Sequence, residues 1–291
     1  MSAVSGPVVP RRRLAAELRR LRTQAGRTLD EVAEELMIST SKLSRLEKGQ
    51  GSPQSRDVRD LIRLYEIENT PLAETMMRWV RAARRQGWWH DYSYTSSGAM
   101  SGMDAHLAYE SEASTARVYT IPFLPSLLQT PDYARALYES MEPWRGRAEI
   151  DQLIRLRLAR LELLNSREDN EPLRLVAISH ECCLRQLVGS TDIMREQLRA
   201  LDGYFDRPNV ELRILPFHAL PAFTTNCMFA YFEFDDALDR DVVHVETHAG
   251  FRYIETTEQV SQYRRHYDDL IRRALIPADS RELVRSTLEA W

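Results

Sequence analysis

The apolar positions of the first ninety residues repeat at helical spacing. Leu14, Leu18, Leu21 and Ala25 lie three or four residues apart, so Arg11–Ala25 reads as a helix that Gly26 stops. Thr28-Leu-Asp-Glu31 has the form of a capping box, in which the Thr side chain and the Glu side chain each satisfy a backbone N–H at the helix start. It opens a short second helix with Leu29, Val32, Ala33 and Leu36 inward. Met37 and Ile38 interrupt the pattern. Ser39 then caps a third helix on Leu43 and Leu46, which Gly49 ends. Gln50–Ser55 reads as a loop, Asp57–Tyr65 as a fourth helix, and Thr70-Pro71 as the cap of a fifth that runs to about Arg85.

Beyond this block the pattern changes. Arg84–Met103 carries Trp88 and Trp89 and then a Gly/Ser-rich polar stretch, which reads as a hinge with the two tryptophans docking it onto the domain that follows. Asp104–Tyr119 reads as a helix, Thr130-Pro131 caps another to Met141, and Arg147–Ser166 forms a long one. The apolar residues of that long helix cover more than one face, which fits burial on two sides or a dimer interface. Leu173–Ser179 and Val210–Leu215 are β-rich runs with helical segments between them, a spacing that predicts parallel strands. Cys227–Phe234, Val242–Glu246 and Phe251–Ile254 follow with short turns as an antiparallel meander, and two helices close the chain. The expected architecture is an all-α, five-helix N-terminal domain plus a larger α+β domain, a mixed sheet with helices. The expected boundaries are 1–86 for the first domain, 87–103 for the hinge and 104–291 for the second.

Charge sharpens this division. The chain of 291 residues carries a formal net charge of −4, which taken alone argues against a polyanionic partner. Residues 1–90 carry +6 and residues 91–291 carry −10, so the small helical end is the polyanion binder. No apolar run reaches the length of a membrane span, and the N-terminus lacks the apolar core of a signal peptide. Cys182, Cys183 and Cys227 are an odd set with two adjacent members, which fits a reducing cytoplasm better than a disulfide framework.

A short helix, a tight turn and a second short helix make a helix-turn-helix. Its second helix exposes Thr40, Ser41, Lys42, Ser44, Arg45 and Lys48 between buried leucines, a set of donors suited to base edges and phosphates in a major groove. The run Thr28-Leu-Asp-Glu-Val-Ala33, then Ile38-Ser39, then Lys42-Leu-Ser-Arg-Leu-Glu-Lys-Gly49 and Pro53 resembles the Cro and phage-repressor type of helix-turn-helix, the xenobiotic-response-element family. The resemblance covers about residues 11–66. It implies that Thr40, Ser41, Ser44 and Arg45 read bases, that the start of the second helix around Thr28 approaches a phosphate, and that Arg22 pairs structurally with Glu47. Met37 stands where the family usually has Gly.

The larger domain carries a resemblance of its own. Tyr109-Glu110, Pro125-Ser-Leu-Leu-Gln-Thr-Pro-Asp-Tyr-Ala-Arg135, Glu181 with Leu184-Arg185, and Met194-Arg-Glu-Gln-Leu198 are similar to a C-terminal domain of uncharacterised role that is fused to this helix-turn-helix in actinobacterial regulators. The resemblance implies an antitoxin-like regulator, often encoded beside a very small partner protein, and it implies no cofactor.

Catalytic patterns are sparse. His180-Glu181-Cys182-Cys183 places acid, base and nucleophile side by side at a strand-to-helix junction, where a capping role fits better. His244, Glu246 and His248 alternate on one strand and are the weak candidates for a metal site; no metal is assigned. No phosphate-cradling glycine loop or nucleophile elbow occurs. The reading is a cytoplasmic, non-enzymatic regulator that binds a palindromic operator as a homodimer. Its larger domain senses a ligand or a small partner protein. The alternative is an enzyme or metal-dependent sensor with a DNA-targeting N-terminal domain.

Overall fold

The structure is a computed structural model that describes residues 8–85, 87–92, 102–167, 171–219, 228–235, 241–247 and 250–291. The chain divides into two compact units. Among the described residues the first holds 8–90 and Asp104–Glu112, and the second holds most of the remainder.

The first unit is all helix: α1 (Val8–Gln24), α2 (Leu29–Glu35), α3 (Thr40–Leu46), α4 (Ser55–Leu64), α5 (Pro71–Ala83) and α6 (Met103–Glu112). Leu14, Leu18, Val32, Leu43, Leu61, Met76 and Val80 make its core, each at most 1% exposed. Leu14, Leu18, Val32, Leu43 and Leu61 are among the positions whose spacing predicted the first four helices; the fifth was read from its Thr70-Pro71 cap. Gly26 and Gly49 follow α1 and α3 at φ +65° and +67°, the left-handed conformation that only glycine adopts without a steric cost.

Met37, in the turn between α2 and α3, takes φ +52° without that freedom. Its side chain is 91% exposed, so no packing offsets the strain. Met37→Gly is therefore expected to stabilise the unit by about 1 kcal/mol, read as a rise in the urea midpoint with unchanged slope. An unchanged or lower midpoint would place the strain elsewhere.

The sequence reading ran one helix from Asp104 to Tyr119, and that expectation is corrected. Helix α6 ends at Glu112 and packs in the first unit. The Glu112 carboxylate accepts from the backbone N–H groups of Val8 and Val9 at 2.6 and 2.7 Å, which caps the start of α1. The Arg12 guanidinium lies 5.6 Å from the centre of the Tyr109 ring. Burial depresses the pKa of the Arg11 guanidinium, which Glu112 and Tyr109 partly offset.

After α6 the chain enters strand β1 (Thr115–Thr120), which the sequence reading missed. The β-branched and aromatic residues of Thr115-Ala-Arg-Val-Tyr-Thr120 suit a pleated surface, and strand pairing on both sides settles the conformation. β1 runs parallel to β2 (Arg174–His180) and antiparallel to β4 (Phe229–Glu233). β3 (Val210–Leu215) joins β2 in parallel; β5 (Val242–Thr247) and β6 (Gly250–Ile254) extend β4 as the antiparallel meander that the sequence predicted. The resulting six-stranded mixed sheet has the order β3-β2-β1-β4-β5-β6. β1 thus joins the parallel and antiparallel halves.

Helices surround the sheet: α7 (Pro131–Met141), α8 (Arg147–Leu161), α9 (Cys182–Arg185), α10 (Thr191–Tyr204), α11 (Thr257–Arg273) and α12 (Pro277–Ala290). Tyr119, Val176, Ile178, Phe229, Tyr231, Val243 and Val245 alternate onto one face and pack with Val260, Tyr267 and Leu270 of α11. The buried Tyr267 hydroxyl donates to the Val176 carbonyl at 2.7 Å, and burial pushes that phenol well above its usual pKa. In α8, Ile150, Leu153, Ile154 and Leu156 are buried within the unit, whereas Leu158 is 38% exposed.

Candidate nucleic-acid interface

The recognition region is built from two caps. The Thr28 hydroxyl accepts from the Glu31 N–H at 3.2 Å, and the Glu31 carboxylate accepts from both the Thr28 N–H and its hydroxyl, at 2.7 and 2.9 Å. Those bonds hold the Glu31 carboxyl below its usual pKa, led by the backbone N–H of Thr28. The positive end of α2 is thus already occupied by a carboxylate, with Asp30 beside it. A phosphate arriving at Thr28 would meet two acidic side chains, so the hydroxyl of Thr28 acts first as a cap.

Ser39 caps α3 by accepting from the Lys42 N–H at 3.2 Å. Leu43 at the centre of α3 is fully buried, which turns the opposite face outward. Ser41, Arg45 and Lys48 are exposed; Thr40, Lys42 and Ser44 are half-buried. Their chemical states differ. The Thr40 hydroxyl donates to Asp30 at 2.8 Å, and the Lys42 ammonium pairs with Asp57 of α4 at 2.7 Å. Among the described residues no side-chain hydrogen bond or ion pair engages Ser41, Ser44, Arg45 or Lys48. Arg45 in α3 and Lys48 just past its end therefore carry the uncompensated positive charge of this face.

The far end of α3 is fixed from below. The Arg22 guanidinium meets the Glu47 carboxylate twice, Nε to Oε1 at 2.8 Å and a terminal nitrogen to Oε2 at 3.0 Å. Its remaining nitrogen donates to the Arg27 carbonyl at 2.8 Å. The side chains of the pair are only 15% and 5% exposed. One guanidinium thus ties α1, the turn before α2 and the end of α3.

Beside Arg45 lies a groove of about 580 Å³ whose lining includes Gln50, Ser52, Gln54, Lys42 and Asp57. Gln50, Ser52 and Gln54 are exposed. The sequence reading passed over these residues, having treated 50–55 only as a loop. Their signal was a run of uncharged donors directly after the recognition helix. Asp57 is the one acid in that lining. Its removal is expected to free Lys42 for phosphate, so Asp57→Asn should tighten DNA binding at low salt and steepen the plot of log affinity against log salt by about one unit. An unchanged slope, measured by anisotropy across a salt series, would show that Lys42 stays withdrawn.

The other sequence-selected residues fall elsewhere. Trp88 and Trp89 belong to a short 3-10 turn in the first unit, with their rings edge-on at 5.9 Å. The Trp88 indole N–H donates to Ser111 of α6 at 2.9 Å, and Trp89 is 2% exposed. Both are packing residues, and Trp88 bonds to α6, a segment that the sequence reading placed in the larger domain. The Gly/Ser-rich part of the expected hinge, 93–101, lies outside the described residues. Of the weak metal candidates, His244 is buried between the rings of Phe251 and Tyr253, with centroids at 4.7 and 5.6 Å. Glu246 is exposed, and His248 lies outside the described residues. Among the described residues no cluster of three metal-type ligands forms.

Residues 13–74 match the model of a helix-turn-helix domain, so the first unit contains a helix-turn-helix of the DNA-binding class. Residues 103–286 match a domain of unknown function, DUF5753, and the chain belongs to that family. Comparison with curated proteins and with solved structures gave no match. No helix among the described residues is long and apolar enough to cross a membrane.

Proposed function

We propose that this protein is a sequence-specific, DNA-binding transcriptional regulator of the xenobiotic-response-element type. One observation carries the reading: α3 buries Leu43 and leaves Arg45, with Lys48 just past its end, exposed and without an ion-pair partner, on a domain that matches a helix-turn-helix model. Arg45 supplies the bidentate donor that a guanine edge accepts, with Ser41 and Ser44 as adaptable short donors beside it. Thr40 and Lys42 reach DNA by exchanging their present carboxylate partners.

The protein acts as a homodimer on a palindromic operator, with two recognition helices about 34 Å apart in successive major grooves. The acidic larger part, at −10 over residues 91–291, repels DNA and leaves site choice to the basic head. That part takes a signal from a ligand or a very small partner protein, in the manner of an antitoxin-like actinobacterial regulator. It does so without catalysis or cofactor, in the cytoplasm. The signal acts by favouring one spacing of the two heads. Leu158, exposed on α8 among buried neighbours, is a candidate element of the dimer contact.

Pull-down of fragmented genomic DNA with the purified chain tests the reading. Enrichment of a two-fold symmetric site is expected. Enrichment of no sequence over input would overturn it. A monomer at micromolar concentration would remove the dimer while leaving DNA recognition standing.

A further inference from the structure

The segment His180-Glu181-Cys182-Cys183 has no part in DNA reading, yet it brings an imidazole, a carboxylate and two thiols together in the larger unit. It sits where β2 turns into the single helical turn of α9. The two cysteines occupy different surroundings. Cys183 is fully buried, and its thiol donates toward the carbonyls of Phe123 and Thr120 at 3.3 and 3.5 Å. Cys182 is half-buried and reachable. Its backbone N–H donates to His180 Nδ1 at 3.2 Å, which fixes the imidazole next to the sulfur. The neighbouring carboxylate is withdrawn: Glu181 pairs with Arg185 at 2.8 Å and accepts from the Phe217 N–H at 3.0 Å. The Phe217 ring lies edge-on to His180 at 5.3 Å and is 49% exposed, giving the site an apolar lip.

We propose that Cys182 and Cys183 form an oxidisable dithiol whose substrate class is hydroperoxides. The Cys182 sulfur attacks the terminal peroxide oxygen, the O–O bond breaks, and the alcohol or water leaves with a proton. Cys182 becomes a sulfenic acid and the peroxide is reduced by two electrons. The Cys183 sulfur then attacks the Cys182 sulfur, water departs, and a disulfide joins the two neighbours.

The surroundings assign these roles. The adjacent Cys183 thiol, together with the His180 ring, draws the Cys182 thiol below its ordinary range, whereas burial raises Cys183 well above it. Cys182 is thus the attacking thiolate and Cys183 the protonated resolving partner. Adjacent residues of a helix diverge by about 100° around its axis, and a disulfide needs Cβ atoms about 4 Å apart, so closure must unwind α9. The Leu184 carbonyl, which accepts from the Trp291 indole at 2.9 Å, would then be disturbed.

The test uses the full wild-type chain, so it does not depend on the folding of a variant. Exposure to hydrogen peroxide and mapping by mass spectrometry should show loss of two hydrogens from the peptide that holds both cysteines. Cys183→Ser should stop at a sulfenic acid on Cys182 that a cyclic diketone traps. Alkylation at pH 6 should be about tenfold faster at Cys182 in the folded chain than in urea, the thiolate gain being partly offset by lower nucleophilicity. Survival of both thiols in peroxide that oxidises a small free thiol would overturn the proposal. So would alkylation no faster in the folded chain than in the unfolded one.

Discussion

Arg45→Ala is expected to abolish selection of the operator while leaving the protein folded. Arg45 is exposed, lies in the last turn of α3 and engages no other side chain among the described residues, so its loss disturbs no packing. A bidentate arginine contact discriminates a base by about 1–3 kcal/mol, which corresponds to roughly fivefold to more than a hundredfold in preference over a mismatched site. Non-specific affinity should fall much less, because it rests on summed charge over the basic head and not on one geometry. The measurement is a competition assay between operator and scrambled duplex at fixed salt, with circular dichroism as the folding control. Preference retained within twofold would remove Arg45 from the base-reading set. A uniform loss on both duplexes would make it a phosphate contact.

Glu47→Ala is expected to destabilise the helix-turn-helix by about 3 kcal/mol, because it strands a guanidinium that is largely out of water. Arg22 makes three hydrogen bonds, two of them to Glu47, and its pKa is raised chiefly by that contact. The neighbouring pair Arg63–Glu68 provides the control: its side chains are 66% and 54% exposed, so Glu68→Ala should cost under about 0.5 kcal/mol. Arg22→Lys should also be damaging, since an ammonium cannot span both carboxylate oxygens and the Arg27 carbonyl in one plane. Urea unfolding of the three variants separates these outcomes. Equal costs for Glu47→Ala and Glu68→Ala would show that the buried pair contributes no more than a surface one. A loss of DNA binding by Glu47→Ala that tracks its unfolded fraction is the expected functional consequence, distinct from the folded but unselective Arg45→Ala.

The dithiol and the DNA-binding face lie in different units, so their tests are independent. If oxidation of Cys182 and Cys183 is seen while operator binding is absent, the redox site stands without the regulator. If operator binding is seen while the thiols are inert, the regulator stands without that signal.

The first five helices were legible in the sequence because each buries a single stripe against its neighbours. Leu14, Leu18, Leu43 and Leu61 announce that stripe by spacing alone, and Thr28, Ser39 and Thr70 mark where helices begin. The parallel pair β2–β3 and the meander β4–β6 were legible for the matching reason, since short β-rich runs and the length of the segment between them fix how strands can be joined. The strain at Met37 was visible as a departure from the resemblance before its φ was known.

Three things needed the tertiary structure. β1 lies at the centre of the sheet, where β2 and β4 take both sides of its backbone, and no local pattern encodes partners that are 59 and 118 residues away in the pairs Thr115–Arg174 and Thr115–Glu233. α6 joins the helical unit because Glu112 satisfies the open N–H groups of Val8 and Val9, a cap supplied from across the chain. The chemical state of the recognition face was equally hidden: Thr40 and Lys42 look as available as Arg45 until Asp30 and Asp57 are placed against them. Sequence by itself determined which faces must be buried and which end of the chain carries positive charge, because periodicity and composition are local properties. Which polar groups remain free for a partner was decided only by folding, because a side chain is committed or available according to what distant residues bring to it.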